Sequence, residues 1–465
     1  MNTNRSTSQQ QKSASILDLH GLFKGQVITP ADPSYESART VFYGGFDRHP
    51  AAVIRVADAE DVSRLVSLAR QQGIELAIRS GGHSVVGHST SDGGIMLDLS
   101  AMKDLQIDHE EQTAWAQTGL TAGEFTKAAG AYGLAAGFGD TASVGIGGIT
   151  LGGGVGYLVR KYGLTIDSLL AAEAVTADGQ VLLADETTHP DLFWATRGGG
   201  GNFGVVTRFK FQLQKVDMVL GGMLILPATE DVIAGFIAEA ESAPDELTTI
   251  LNIMVAPPMP FLPKEANGKL IAMAIMTYAG DIAQGERVLA PFHGLAQPYA
   301  DMVRPIPYAQ MFPPEEGGNF HPAAVQRTKF LDHVDRSVAG VILEHLRASN
   351  AFMSVAQLRV LGGAISRIPV EATAFAHRNS KIMANLAALY QAPAEKEAHE
   401  AWVVDFASAV QQSDQGAYVN FLSNADETQI RAAYPGNTWG RLRQVKAKYD
   451  PTNLFRLNQN IPPMG

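Results

Sequence analysis

The residues with the clearest capacity for chemistry lie between Leu76 and Leu99, LAIRSGGHSVVGHSTSDGGIMLDL. Apolar residues suited to a buried strand break at Gly81-Gly82, His83 stands at the break, and IMLDL reads as a second strand. A histidine at the tip of a strand-loop-strand unit is placed to hold a ligand. The paired glycines permit positive φ and a close approach of backbone to that ligand, while Ser80, Ser84 and the loop amides offer hydrogen bonds to an anion. A phosphate-bearing cofactor is the natural candidate, and a surface-turn histidine is the plainer alternative.

Two more glycine-rich stretches follow. In residues 139–182 the apolar Val144, Ile146, Ile149, Leu151 and Val155 fall between the glycines, and Ser and Pro are scarce, so the stretch reads as a packed loop against something flat and not as a linker. In residues 195–213 a formal G-x-G-x-x-G stands at Gly199 to Gly204. A dinucleotide fingerprint must follow a strand and open a helix, whereas here helix-like DLFWATR precedes the glycines and strand-like VVTRFKFQL follows them. The Rossmann reading is rejected. His321, His333 and His377 are isolated and show no metal-ligand spacing, so no metal is expected, and Trp194 and Trp439 read as packing residues.

These loops need a scaffold. From Ser15 to Gly44 a short helix, a strand around Gln26-Val27-Ile28 and a polar turn are expected. Residues 51–82 read as strand, helix and strand, with Asp58 or Asp61 as the cap and Val62, Leu65, Val66, Leu68 and Ala69 on the apolar side, a βαβ start. A strand pair around a polar turn then spans the residues after Leu97, and 120–137 reads as a helix ending at a glycine. Beyond Val216, helical patterns (EDVIAGFIAEAESA, QGERVLAPFHGLA, DHVDRSVAGVILEHL) alternate with strand-like NIMVAPP, KLIAMAIMTYAG and SVAQLRVLGGAI, which suggests an antiparallel sheet backed by helices. The helix TWGRLRQVKAKY stops at Asp450-Pro451.

A chain of 465 residues, 46% hydrophobic, buries a large core in two domains or one elaborated one. Its net charge of −11 argues against a nucleic-acid partner. With no cysteine, disulfides, thiolate metal sites and a cysteine nucleophile are excluded. Residues 1–14 are polar and read as a disordered tail without a signal-peptide core, and no apolar run reaches the roughly 18 residues of a membrane helix. A cytoplasmic protein that does not span a membrane is expected.

Four ordered blocks, RSGGHS, SVGIGGITLGGGVG, GGGGNFGVVT and VKAKYDPTNLFRLNQNI, resemble the vanillyl-alcohol-oxidase-type flavoproteins, and within them the berberine-bridge-enzyme-like and 6-hydroxy-D-nicotine-oxidase-like oxidases. The resemblance covers nearly the whole chain. It implies an α+β fold: a PCMH-type FAD-binding domain of two α/β subdomains (15–215), a substrate domain with an antiparallel sheet backed by helices (216–416), and a C-terminal berberine-bridge-like segment (417–465) that completes the FAD domain.

It further implies that Arg79, Ser80, Gly81, Gly82, His83 and Ser84 cradle the pyrophosphate, with His83 bonded covalently to the flavin. Val144, Gly145, Ile146, Gly147 and Gly148, then Thr150, Gly152, Gly153 and Gly154, should pack along the cofactor, as should Asn202, Gly204, Val205 and Val206. Asn458 and Asn460 match the place where a C-terminal strand returns to the flavin. Many relatives carry a second flavin link through a cysteine where this chain has Thr141, so a single attachment is expected, with Asp140 capping or solvating the loop. The family's Tyr-x-Asn strand is Tyr418-Val419-Asn420, which nominates Tyr418 as the catalytic base in competition with a plain core tyrosine. The implied function is FAD-dependent hydride abstraction from a small-molecule alcohol, sugar hydroxyl or amine, with molecular oxygen as acceptor. A flavin dehydrogenase, an oxidative cyclase, or a catalytically silent flavin-binding protein are the alternatives.

Overall fold

The computed structural model describes residues 19, 21–313, 321–423 and 427–465. The tail expected at 1–14, and residues 15–18 and 20 of the helix expected from Ser15, lie outside the described residues. Three sheets organise the chain.

The first is four-stranded, in the order Gln26–Ile28, Ala52–Arg55, Ile95–Asp98, Leu76–Arg79. Ala52–Arg55 and Leu76–Arg79 are joined by the helix Ala59–Gln72, as expected, but Ile95–Asp98 inserts between them, parallel to both and wholly buried. Asp58 caps the helix by accepting from the Asp61 amide (3.0 Å). Asp61, the other candidate, is fully buried and accepts from the amides of Lys24, Gly25 and Ala57, bolting the lead-in to Gln26–Ile28 onto the helix start. Where a turn is expected before Gly44, a one-turn helix forms at Tyr35–Arg39, its Tyr35 and Ala38 packed against Val53 and Met96.

The second sheet is antiparallel, in the order Leu105–Asp108, Thr113–Gln117, Val205–Gln212, Leu169–Val175, Val181–Ala184. Leu105–Asp108 and Thr113–Gln117 are the expected strand pair. The helix expected over 120–137 is shorter, Ala122–Gly130: it starts at a capping box in which Thr121 and Glu124 exchange hydrogen bonds, and ends because Gly133 turns the chain at φ 65° so that Leu134–Ala135 can pair with Gln214–Lys215. Pro190–Thr196 is helical and precedes the glycine run that leads into strand Val205–Gln212, the order that excludes a Rossmann turn.

The third sheet is antiparallel and eight-stranded, along the path Ala300–Asp301, Met218–Pro227, Leu270–Tyr278, Leu247–Val255, Met353–Val360, Ile382–Tyr390, Ala323–Leu331, with Arg304–Pro307 also on Met218–Pro227. Its two faces differ because strand side chains alternate. Leu358, Ala384 and Leu386 point into a core shared with the helices Glu230–Ser242, Ile282–His293, Arg336–Ala348 and Lys396–Ala409. Met383 and Phe330 join the core of the second sheet, and Gln326, Gln357, Arg359 and Asn385 border a cavity between.

The helix Asn437–Tyr449 is tied down by a fully buried ion pair, Lys446 Nζ to Asp450 (2.7 Å), and the same ammonium donates to the carbonyls of Asn202 and Phe455. Two strands expected here are absent: Tyr418-Val419-Asn420 leads into a 3-10 turn at Val419–Phe421, and the tail after Tyr449 runs without regular structure. Among the described residues no helix is long and apolar enough to cross a membrane.

Candidate active site

The first two glycine loops meet back to back. A Cβ on Gly145 would stand 2.2 Å from the Gly81 amide nitrogen and 2.2 Å from Ser80 Oγ, and one on Gly81 would stand 2.2 Å from the Gly145 nitrogen. Only glycine allows that approach. Ser80 locks the crossing by donating to the Thr118 carbonyl (2.6 Å).

On one side of this crossing opens a cavity of about 470 Å³, counted as space open to the centre of a water molecule. His83 stands in its wall, stacked on Phe42 at 3.9 Å between ring centroids and 2.9 Å from Ser143 Oγ through Nε2. Of the residues singled out from sequence, Ser80, Gly81, Gly82, Ser84, Val144, Gly145, Gly147, Gly148, Gly204, Val205, Val206, Asn458 and Tyr418 share that wall. The cavity suits a flat, polar-edged cofactor. Gly148 and Gly201 border it with nothing within 4 Å of where a Cβ would project, so bare backbone forms the surface there. Ser89 and Asn458 are residues of the same wall, and their buried Oγ and Oδ1 have no partner among the described residues.

Several expected contacts are not on the wall. Arg79, expected in the cradle, is not on the wall: its guanidinium is held by Asp98 (2.6 and 3.2 Å) and by the carbonyls of Ala38 and Thr40, so it braces the sheet. Ile146 is core, and Thr150 is buried behind the loop. Gly152, Gly153 and Gly154 sit one layer back, where a Cβ on Gly152 would strike Asn420 Oδ1 at 2.0 Å and one on Gly154 would collide with Thr165 Oγ1. Asn202 is a clasp for the tail: it donates to the carbonyls of Gly199 and Gln459 and accepts from the Ile461 amide. Asn460 does not border the cavity either.

His321, exposed, contacts the Phe42 carbonyl through Nδ1; His333 lies 3.9 Å from Asp335 on the surface; and His377, whose burial lowers its pKa, stacks on Phe330. None borders the cavity. Trp194 donates to the Glu371 carbonyl beneath Arg441, and Trp439 stacks on Tyr434. No group of three potential metal ligands exists among the described residues.

Tyr418 is 2% exposed, and its oxygen accepts from the Gly154 amide (3.0 Å) and from Asn420 Nδ2 (2.9 Å). Burial raises its pKa above the ordinary phenol value, while the two donors and the nearby Arg359 pull the other way without cancelling it. With both donors fixed, the phenol's own proton must point elsewhere.

Arg359 escaped the sequence reading. It is 4% exposed, ion-paired to Asp140 at 2.5 Å, and donates to Gln357 Oε1 and to the Val155 carbonyl. Asp140 is therefore a counter-ion and not a loop cap. Gln357 and Asn385 are direct cross-strand partners, Gln357 Nε2 donates to Asn252 Oδ1 (2.9 Å), and Asn385 Nδ2 donates to Gln326 Oε1 (3.3 Å). The third sheet thus presents amides and one neutralised cation to the cavity.

Residues 50–185 match the FAD binding domain family, and residues 417–462 match the berberine and berberine-like family. The chain is 32% identical to the FAD-linked oxidoreductase YgaK of Bacillus subtilis, over 95% of this chain and 97% of that one. It belongs to the berberine-bridge-like FAD-linked oxidoreductases. A second relative in this family, the (R)-6-hydroxynicotine oxidase of Paenarthrobacter nicotinovorans, is 30% identical over 95% of this chain and 97% of that one. Among solved structures, 6-hydroxy-D-nicotine oxidase from Arthrobacter nicotinovorans superposes with a TM-score of 0.83 at 26% identity, covering 95% of this chain and 98% of that one. A chitooligosaccharide oxidase shares the fold at 21% identity, covering 98% of this chain and all of the other, TM-score 0.82. The protein is an FAD-dependent oxidoreductase of this family, with the PCMH-type fold expected from its four sequence blocks.

Proposed function

We propose that this berberine-bridge-like oxidoreductase is an oxidase that carries FAD on a single covalent bond to a ring nitrogen of His83, oxidises a small-molecule alcohol, sugar hydroxyl or amine, and passes the electrons to molecular oxygen. What carries the reading is the convergence of His83, the two crossed glycine loops and Tyr418 on one cavity. The bound flavin supplies the acceptor for a hydride leaving the substrate's C–H bond. The bare backbone at Gly148 and Gly201 and the glycines of the crossed loops let the cofactor lie close. Phe42 and Ser143 fix the His83 ring. Thr141 lines the same cavity and donates to Asp140; its hydroxyl has no counterpart to a thioether sulfur, which leaves one attachment.

Tyr418 in its phenolate form takes the substrate's O–H or N–H proton; burial, the largest influence, opposes that form, and Gly154, Asn420 and Arg359 offset part of the opposition. Relatives named for hydroxynicotine and chitooligosaccharide oxidation support the range of substrates.

Acid precipitation of the purified protein tests the attachment. The pellet stays yellow and the peptide carrying His83 gains the mass of FAD, whereas His83→Ala retains only flavin that acid releases. An unmodified His83 peptide refutes the bond. Hydrogen peroxide formed on addition of a bleaching substrate marks an oxidase; bleaching without peroxide marks a dehydrogenase.

A further inference from the structure

Ser143 lies in the second glycine loop, and the backbone on both sides of it is pinned to the start of the helix Ala122–Gly130. The Ala142 carbonyl accepts from the Gly123 amide (2.9 Å), and the Val144 carbonyl accepts from the Ala122 amide (2.8 Å). Ser143 Oγ is thereby held 2.9 Å from His83 Nε2. Phe42 covers one face of the same imidazole, with 3.9 Å between ring centroids and 20° between planes, and its own amide donates to the Gly82 carbonyl (3.2 Å). The ring is clamped by its face from one segment and by an edge nitrogen from another.

A neutral imidazole carries one proton, and the partner of one ring nitrogen decides which nitrogen keeps it. If the Ser143 hydroxyl donates to Nε2, the proton sits on Nδ1 and the hydroxyl engages the one in-plane lone pair. If the hydroxyl accepts from Nε2–H, that lone pair belongs to Nδ1. Only the second arrangement makes a nucleophile. In the step that follows, an N–C bond forms from Nδ1 to a methyl carbon of the flavin ring system while one C–H bond of that methyl breaks. The methyl and Nε2 each give up a proton, and the electron pair of the broken bond passes into the flavin, which is reduced by two electrons and takes up two protons. Molecular oxygen restores the oxidised flavin and leaves as hydrogen peroxide. Nε2 has now become an acceptor, and the same hydroxyl turns to donate to it, because a hydroxyl can play either part.

We infer that Ser143 is a positioning residue for the attachment of FAD: its hydroxyl holds the His83 proton on Nε2, so that Nδ1 attacks. The inference rests on the covalent reading of His83 and is independent of the substrate.

The test uses the full chain produced under riboflavin starvation and then mixed with excess FAD. Growth of acid-stable flavin with time gives the rate of bond formation, and the dissociation constant for FAD is measured separately in a His83→Ala background, where no bond competes. Ser143→Ala should slow bond formation about ten-fold or more, as when the partner that orients a metal-binding imidazole is removed. Adding Ser143→Ala to His83→Ala should leave the FAD dissociation constant unchanged. Ser143→Thr should restore the rate, whereas Ser143→Val, which matches threonine in shape but lacks the hydroxyl, should not; this pair decides should Ser143→Ala fail to fold. Nuclear magnetic resonance of the flavin-bearing peptide should place the bond on Nδ1. A wild-type rate in the alanine or valine variant, or a bond on Nε2, overturns the inference while the covalent reading stands. Loss of FAD affinity that matches the loss of rate assigns Ser143 to cofactor binding and also overturns it. Absence of acid-stable flavin from the wild-type protein overturns the covalent reading and the inference together.

Discussion

Replacing Tyr418 by phenylalanine removes one oxygen and preserves the ring that packs against Phe375 and Phe421. Two effects follow and separate cleanly. Gly154 N–H and Asn420 Nδ2 lose their acceptor; Asn420 keeps its bond to the Ile149 carbonyl (3.2 Å), whereas the Gly154 amide is left unpaired in a buried position. One orphaned buried donor costs about 1–3 kcal/mol of stability. The second effect is kinetic. Loss of a positioned proton acceptor slows the chemical step about 10²–10⁴-fold, which is roughly 2.7–5.4 kcal/mol of barrier at 1.36 kcal/mol per decade. Because burial holds the Tyr418 pKa above that of an ordinary phenol, its basic form grows as pH rises. The wild-type rate of anaerobic flavin reduction should therefore climb with pH across the neutral and alkaline range, and Tyr418→Phe should be slow and flat over the same range. Stopped-flow reduction with a saturating substrate measures this step apart from reoxidation. A variant reduced within a few-fold of wild type, with the rising limb intact, would assign Tyr418 to the core and send the search for the base to the third sheet.

Other perturbations test the scaffold. Gly145→Ala places a methyl group 2.2 Å from the Gly81 nitrogen; overpacking of this kind costs about 1–3 kcal/mol, and flavin content per chain should fall with the melting temperature, so a fully loaded, equally stable variant would show that the loops can part. Arg359→Met strands Asp140 without its ion-pair partner and should cost about 3 kcal/mol in urea unfolding; an unchanged midpoint would mean the pair is dispensable. His88, on the cavity wall, has its pKa pushed down to about 4 by burial, with Arg48 adding to the shift. Its folded form resists protonation, so stability is fully present above the ordinary histidine pKa of about 6.5 and falls as pH drops toward 4, by up to about 3 kcal/mol. His88→Gln should flatten that part of the stability-pH curve, and parallel curves for the two proteins would contradict the assignment.

What was legible from sequence follows from how far apart the cooperating residues are along the chain. The glycine loops could be read because a glycine's requirement is local: the break at Gly81-Gly82 between two apolar runs already says that backbone must come close to something. The direction of Arg79 could not be read the same way. Next to a glycine loop a guanidinium looks like a phosphate ligand, but its partner is fixed by strand register, and Arg79 pairs across the parallel sheet with Asp98 at the end of IMLDL. Once Asp98 is wholly buried between Arg55 and Arg79, charge neutralisation claims both cations for the scaffold.

The polar wall was hidden for the same reason on a larger scale. Gln326, Gln357, Arg359 and Asn385 sit on three strands and become neighbours only when Met353–Val360 and Ala323–Leu331 flank Ile382–Tyr390 in the observed register. A signal existed: in QLRV and MANLA, polar residues stand in the period-2 alternation with Leu358, Ala384 and Leu386, on the face that a helix-backed sheet turns away from its helices. In a sheet covered on both sides, an amide at such a position is either a defect or a binding group. All four residues line the cavity, which makes the second reading the physical one.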